Sequence, residues 1–508
     1  MTQQILIAPI LLQFGLAIVL MFFWFHIRYQ RVISILGSVL AVISAAMLFK
    51  RVWHDGILSL QAGSWAAPFG ITLVADTLSA TLVLLTSLVA LAVSLFSAGS
   101  MINSRLRFGY FPILHLLVVG LNGAFLTGDI FNMYVWFEIM IISSFVLLTL
   151  GGEKAQLEGA VKYFTMNILA SMIFLTALAV LYGLTGTLNM ADLSLRIAAL
   201  EQRSLVDVCA LLFFVGFGIK AAVFPLYFWL PASYHTPPPA VSAIFGGLLT
   251  KVGVYAMFRV FTLMFGRDPF IENMLVIVAF FTLFSGALGA LTRNNIVKVF
   301  SWLIICHIGF MVAGLAMYSE LALAGAVFYM IHDIVVKANL FMLAGVSNKI
   351  TGTNRLQHMG GLYAHYPKIS LLMAIPLFSL VGIPPLSGFW PKLSLLLGGI
   401  AVEKWALVVM IVLASFATLF VIARVWAEAF WKKQPEYERP QPFRYFDDYP
   451  LLKRWLMLAP IALLAGVSLY IAFGATNIQS LAERIAHELL HPEVYIEAVL
   501  KPNKEVQP

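Results

Sequence analysis

Apolar runs of about twenty residues recur along the whole chain, separated by short polar joints. Runs of that length predict helices, which satisfy their own backbone groups; a membrane barrel would instead alternate in shorter segments. The pattern places spans near 5–25, 32–50, 71–97, 110–127, 130–150, 160–186, 204–230, 240–262, 272–291, 299–318, 321–346, 368–398, 404–430 and 453–474. The predicted fold class is an all-α polytopic membrane protein of about fourteen transmembrane helices. The first run has no basic residue ahead of it and no small-residue cleavage site behind it, so it reads as a retained span rather than a signal peptide. Beyond the last run, Ile478, Leu481, Ile485 and Leu489 recur at helical spacing opposite Glu483, Arg484 and Glu488. This predicts an interfacial amphipathic helix with a lateral contact role.

The chain also matches itself. A shift of 166 positions lays Gly159-Ala160-Val161 on Gly325-Ala326-Val327 and Tyr163 on Tyr329. It also lays Ile130, Trp136, Ile139 and Ile142 on Ile296, Trp302, Ile305 and Ile308, Ile168 on Ile334, and Pro225 on Pro391. The copies are displaced by five predicted spans, an odd number, so the second enters the membrane upside down, as an inverted repeat. The expected organisation is an N-terminal three-helix segment (1–108), a first five-helix repeat (109–270) and a second, inverted five-helix repeat (271–431). A loop, the last span and the amphipathic helix (432–508) complete it. Each repeat carries a signal for a broken helix: Pro225 and Pro231 flank Phe228-Trp229, and Pro384-Pro385 and Pro391 flank Phe389-Trp390. A mid-helix proline frees a carbonyl that must find water or a polar side chain in hydrocarbon. A plain proline kink is the bland alternative for either span taken alone.

Composition sharpens the class. With 61% hydrophobic and 11% charged residues and a mean hydropathy of +0.92 over 508 residues, a water-soluble chain is excluded. The net charge of +8 does not point to nucleic acid, because the basic residues gather in one set of joints. Odd-numbered joints carry Arg28 and Arg31, Arg105 and Arg107, Lys154, Arg293 and Lys298, Lys349 and Arg355, then Lys432, Lys433, Arg439 and Arg444. Even joints hold fewer: Lys50, Arg51, Arg196, Arg203 and Arg267. The odd joints are expected in the cytoplasm and both termini on the outer side of a bacterial inner membrane. Cys209 and Cys306 are far apart in apolar runs, so no disulfide framework, Cys-ligated cluster, redox cofactor or metal site is expected.

The candidate chemistry lies in ionisable residues at mid-span. Glu138 sits roughly 13 Å along its helix, at 1.5 Å per residue. Lys220, Lys251 and Lys337 are near mid-span. A charge at the centre of a membrane helix costs about 3 kcal/mol on insertion scales, so several on one chain need an offsetting role. A lysine pulled toward neutrality by burial and back toward charge by a carboxylate is a tunable proton holder. Glu138 and Lys220 are read as such a pair, passing protons to Lys251. His332 titrates in the physiological range and would relay toward Lys337, and Lys392, just past Pro391, would end the line. Asp333 points about 100 degrees away from His332 around the helix, and its role stays open. His115 and His307 read as satisfied packing histidines; Asp76, Asp129, Arg259 and Lys298 lie near span ends and read as solvated or topological. The bland reading of each buried charge is a structural ion pair.

At these residues the chain resembles the antiporter-like subunits shared by Mrp-type sodium/proton antiporters and respiratory complex I. The carriers are Trp136-Phe137-Glu138, Lys220 followed by Pro225-Leu226-Tyr227-Phe228-Trp229-Leu230-Pro231, and Leu249-Thr250-Lys251-Val252-Gly253-Val254-Tyr255. That last wording, the length and a lysine at Lys392 are most similar to the D-type subunits of Mrp antiporters; the complex I subunit of matching size usually has glutamate near that position. The resemblance implies fourteen helices with two inverted five-helix bundles and antiport of protons against sodium or another monovalent cation. It also implies partner subunits of A, B, C, E, F and G type. Carried over by position, Glu138 and Lys220 are the charged pair, Lys251 the bridge, His332 and Lys337 the second bundle's centre, and Lys392 the exit. The competing reading is a proton-pumping subunit of complex I.

Overall fold

The computed structural model describes residues 4–200, 203–266, 268–433 and 446–500. Arg267, Arg439, Arg444 and most of the 434–450 joint fall outside the described residues. The chain runs α1 (Gln4–Phe22), α2 (Ile27–Asp55), a hairpin of β1 (Leu58–Gln61) and β2 (Thr72–Ala75), then α3 (Thr77–Ser100) and α4 (Tyr110–Leu126). Next come α5 (Ile130–Thr149), α6 (Lys154–Thr185), α7 (Met190–Ala199), α8 (Arg203–Ala221), α9 (Trp229–Ser233) and α10 (Pro239–Leu263). It continues through α11 (Pro269–Leu291), α12 (Ile296–Ala316), α13 (Glu320–Thr351), α14 (Pro367–Val381), α15 (Phe389–Ala401) and α16 (Trp405–Trp431). α17 (Leu451–Phe473), α18 (Ala475–Leu490) and α19 (Glu493–Leu500) close it. Among the described residues, twelve helices are long and apolar enough to cross a membrane. The shorter apolar α4 and the broken pair α14 and α15 supply two more crossings, in line with the fourteen predicted.

The predicted span 71–97 begins differently from its reading. Thr72 to Ala75 pair antiparallel with Leu58 to Gln61, and the helix starts only at Thr77. Its start is set by a reciprocal cap, in which the Asp76 carboxylate accepts from Ser79 N at 2.8 Å and Asp76 N donates to Ser79 Oγ at 2.9 Å. The amphipathic α18 does form, but its apolar face is spent on this chain. Ile478, Leu481, Ile485 and Leu489 are buried, and α18 packs on α13, α10 and α3.

The 166-residue repeat recurs in the contacts. Gly120 and Gly123 on α4 let Met140 and Trp136 on α5 approach; Gly286 and Gly289 on α11 do the same for Cys306 and Trp302 on α12. Ile130 N donates to Leu188 O at 2.9 Å and Met190 N to Gly128 O at 2.9 Å; Ile296 N donates to Asn354 O at 2.9 Å and Leu356 N to Asn294 O at 2.8 Å. α6 and α13 have equal lengths of 32 residues, each ending on a left-handed glycine, Gly186 and Gly352.

At the breaks the register slips, which corrects the pairing of Pro225 with Pro391. Val223 N donates to Gly218 O and Leu226 N to Val223 O; Ile383 N donates to Phe378 O and Leu386 N to Ile383 O, all 160 positions on. Helix resumes at Trp229 and at Phe389. Pro225 therefore corresponds to Pro385, and Pro231 to Pro391. The cause is the preceding connection, where α7 fills the first copy and two single turns, Leu356–His358 and Leu362–His365, fill the second.

α13 is the structural centre. It is buried along nearly all of its 32 residues, with α12, α10, α15, α17 and α18 around it. α1 and α2 lie at the periphery with many large apolar side chains exposed, as lipid-facing helices do.

Candidate functional site

Lys220 is buried near the end of α8, one residue before helical geometry stops at Ala221. Its Nζ donates to Ser171 Oγ of α6 at 3.3 Å and stands 4.9 Å over the Phe137 ring of α5. Glu138, next to Phe137, is the carboxylate whose field reaches that amine. Among the described residues the two do not touch: Glu138 is half-buried and its Oε1 has no hydrogen-bond partner. Phe137, under the amine, belongs to an aromatic cluster with Phe174, Phe213 and Phe217.

The break after Lys220 is answered by neutral groups. Trp229 Nε1 donates at 3.0 Å to the Ile219 carbonyl, which also accepts from Ala222 N at 3.1 Å, and Phe224 N donates to Thr282 Oγ1 of α11 at 2.9 Å. The second break is answered by a charge. Lys392, one turn into α15, donates from Nζ to Val381 O at 2.7 Å and Leu380 O at 3.4 Å, with Phe310 beneath it at 5.2 Å. The carbonyls freed by Pro384 and Pro385 thus meet the amine of a predicted site residue.

Lys251 lies just past a π-helical turn, Phe245–Leu249, that the sequence reading did not anticipate. That turn offers the Gly246 carbonyl, to which Lys251 Nζ donates at 2.8 Å. Gly246 and Gly247 lie against Phe341, Ile334 and Ala338, so α10 approaches α13 closely there. The approach brings Lys251 Nζ to Asp333 Oδ2 at 2.6 Å, with both side chains fully buried. On the other side of α10, Gly253 rests on the Ala221 backbone next to Lys220. α10 is thereby packed between α8, through Gly253, and α13, through Lys251.

Asp333, left without a role in the sequence, is central. Its second oxygen takes His307 Nδ1 of α12 at 3.0 Å, so the expectation that His307 merely packs is also corrected. Lys337 stands one turn along the same face of α13, fully buried, its Nζ without a hydrogen-bond partner among the described residues. His332 Nδ1 meets Ser387 Oγ at 2.8 Å, and the hydroxyls continue through Ser468 at 3.0 Å to Ser379 at 3.2 Å. His332 Nε2, His307 Nε2 and the Tyr329 hydroxyl have no hydrogen-bond partner among the described residues. Buried polar atoms left unpaired each cost about 1–3 kcal/mol, so the cluster is held at a cost to stability.

Asp76 and Arg259 were misread, whereas His115 was not. Asp76 and Arg259 form a buried ion pair linking α3 to α10, with Tyr255 and Tyr495 around the guanidinium. His115 is buried and satisfied as expected, within a network: Nδ1 faces Gln13 Oε1 at 2.6 Å and Nε2 faces Ser34 Oγ at 2.9 Å.

Residues 127–418 match the family model described as NADH:quinone oxidoreductase/Mrp antiporter, TM. The chain is 41% identical over 500 residues, 98% of its length, to the full-length D-type subunit of the Na(+)/H(+) antiporter of Alkalihalophilus pseudofirmus, and equally to that of Bacillus subtilis. A chain of the Mrp complex from Dietzia sp. superposes with a TM-score of 0.87 at 28% identity, covering 98% of this chain and 99% of the other. With Glu138, Lys220, Lys251, His332, Asp333, Lys337 and Lys392 lying within that matched stretch, the chain belongs to the NADH:quinone oxidoreductase/Mrp antiporter transmembrane family.

Proposed function

We propose that the chain is the proton-translocating subunit of a multisubunit antiporter exchanging protons for sodium or another monovalent cation, driven by the proton gradient. The carrying observation is the set of buried ionisable groups on α8, α10, α13 and α15: Lys220, then Lys251 in contact with Asp333, then Lys337, His332 and Lys392. Glu138 sets the charge on Lys220 from the edge; Asp333 does so for Lys251 and Lys337 from the centre. A proton leaving Lys220 finds Lys251 as the next base, and the hydroxyl chain at His332 carries the line toward the second break. Lys392 then holds the exit. Full-length relatives named as D-type members of Na(+)/H(+) antiporters favour this reading over a complex I pump.

The same reading places the chain in a bacterial inner membrane with both termini outside, beside the other Mrp-type subunits. It divides the chain at residues 108, 270 and 431, with the two five-crossing units inverted because an odd number of crossings separates them. The test is antiport in inverted vesicles holding the assembled complex, read as the sodium-induced pH change. Lys220→Ala and Glu138→Ala are expected to leave complex abundance intact and abolish exchange. Normal exchange in either well-assembled variant would overturn the proposal, whereas lost assembly in both would assign these charges to packing.

A further inference from the structure

Away from that line, α18 carries His487-Glu488-Leu489-Leu490-His491, an H-E-x-x-H run that amphipathic periodicity alone does not single out. Four-residue spacing puts both imidazoles on one helix face, and their rings stack 4.1 Å apart. Glu320, the first residue of α13, comes to the same place: its Oε1 is 3.9 Å from His491 Nδ1. One ligand atom from each of Glu320, His487 and His491 lies within 4.8 Å of the others, and all three side chains are exposed. His491 Nδ1 faces the His487 carbonyl at 3.0 Å; a proton there leaves the Nε2 lone pair for a cation.

We propose that Glu320, His487 and His491 form a surface site for a zinc-class divalent cation. Two imidazoles and one carboxylate suit a borderline ion with a fourth position left to water; magnesium and calcium want oxygen donors throughout. In hydrolytic H-E-x-x-H sites the glutamate is a free base. Here Glu488 is engaged: its carboxylate accepts from Thr77 N at 3.1 Å, Thr77 Oγ1 at 2.6 Å and Arg484 Nε at 3.1 Å. The cation is therefore structural. It pins the end of α18 to the start of α13, the helix that carries His332, Asp333 and Lys337.

The test uses the intact purified complex, stripped with chelator, loaded with zinc chloride and desalted, with zinc counted per chain by mass spectrometry. The wild type is expected to hold one zinc more than H487Q, H491Q or E320Q. Zinc chloride, unlike magnesium chloride, should raise its thermal midpoint and leave those variants unmoved. E488Q is expected to keep its zinc. Equal zinc in the wild type and the assembled histidine variants, or none in the wild type, would overturn the site. Zinc lost from E488Q would overturn the structural assignment of that glutamate. Should E320Q fail to assemble, the two histidine variants decide the matter.

Discussion

Asp333 holds two partners at once, the Lys251 amine at 2.6 Å and the His307 Nδ1 at 3.0 Å, in a place without solvent exposure. Removing one member of a buried pair strands the other charge, at a cost of about 3–5 kcal/mol, while replacing both by apolar residues is often neutral. Asp333→Asn is therefore expected to lower the thermal midpoint of the complex and abolish antiport. The double variant Asp333→Leu, Lys251→Met should recover most of the midpoint and none of the transport. Thermal unfolding beside vesicle antiport reads both; a double variant less stable than Asp333→Asn would sink this account. The lysines were legible in the sequence because depth in an apolar run is a one-dimensional property. Asp333 and His307 were not, because an angle around a helix says where a side chain points and not what stands there. On α13, surrounded by helices, every direction is inward. The useful signal was the density of polar residues on that one span: His332, Asp333, Lys337 and Asn339.

At the scale of elements, the broken helices were readable from their prolines, since proline acts locally and without partners. What satisfies each break was not readable, because Thr282 lies on a different helix from the amide it serves. Thr282→Val keeps the shape and removes that acceptor, so it is expected to cost about 1 kcal/mol, seen as a lower thermal midpoint with antiport retained at low temperature. An unchanged midpoint would mean that water serves the Phe224 amide equally well. The π-helical turn at Phe245–Leu249 left no mark in apolar periodicity, as one inserted carbonyl changes the pitch without changing the composition. The hairpin between α2 and α3 was missed because Thr72 to Ala75 reads as the start of a long apolar run. The slip from 166 to 160 was hidden for a related reason: prolines recur six residues apart, so the wrong partner also matched.

At the scale of the molecule, the basic joints assign an orientation that can be measured directly. The native Cys209 and Cys306 are buried, so a single added cysteine reports by itself. Ser64→Cys, in the hairpin joint, is expected to react with an impermeant maleimide in whole cells, and Lys154→Cys only in inverted vesicles. The reverse pattern would turn the whole topology over. Asp333 also has a consequence for its two partners. A single anion with two claimants cannot serve both fully, so any proton that His307 acquires weakens the hold on Lys251, and any that Lys251 loses tightens the grip on the histidine. On the proposed proton line that carboxylate is a seesaw, with Lys251 of α10 on one seat and His307 of α12 on the other, and neither seat is reloaded without tipping the other.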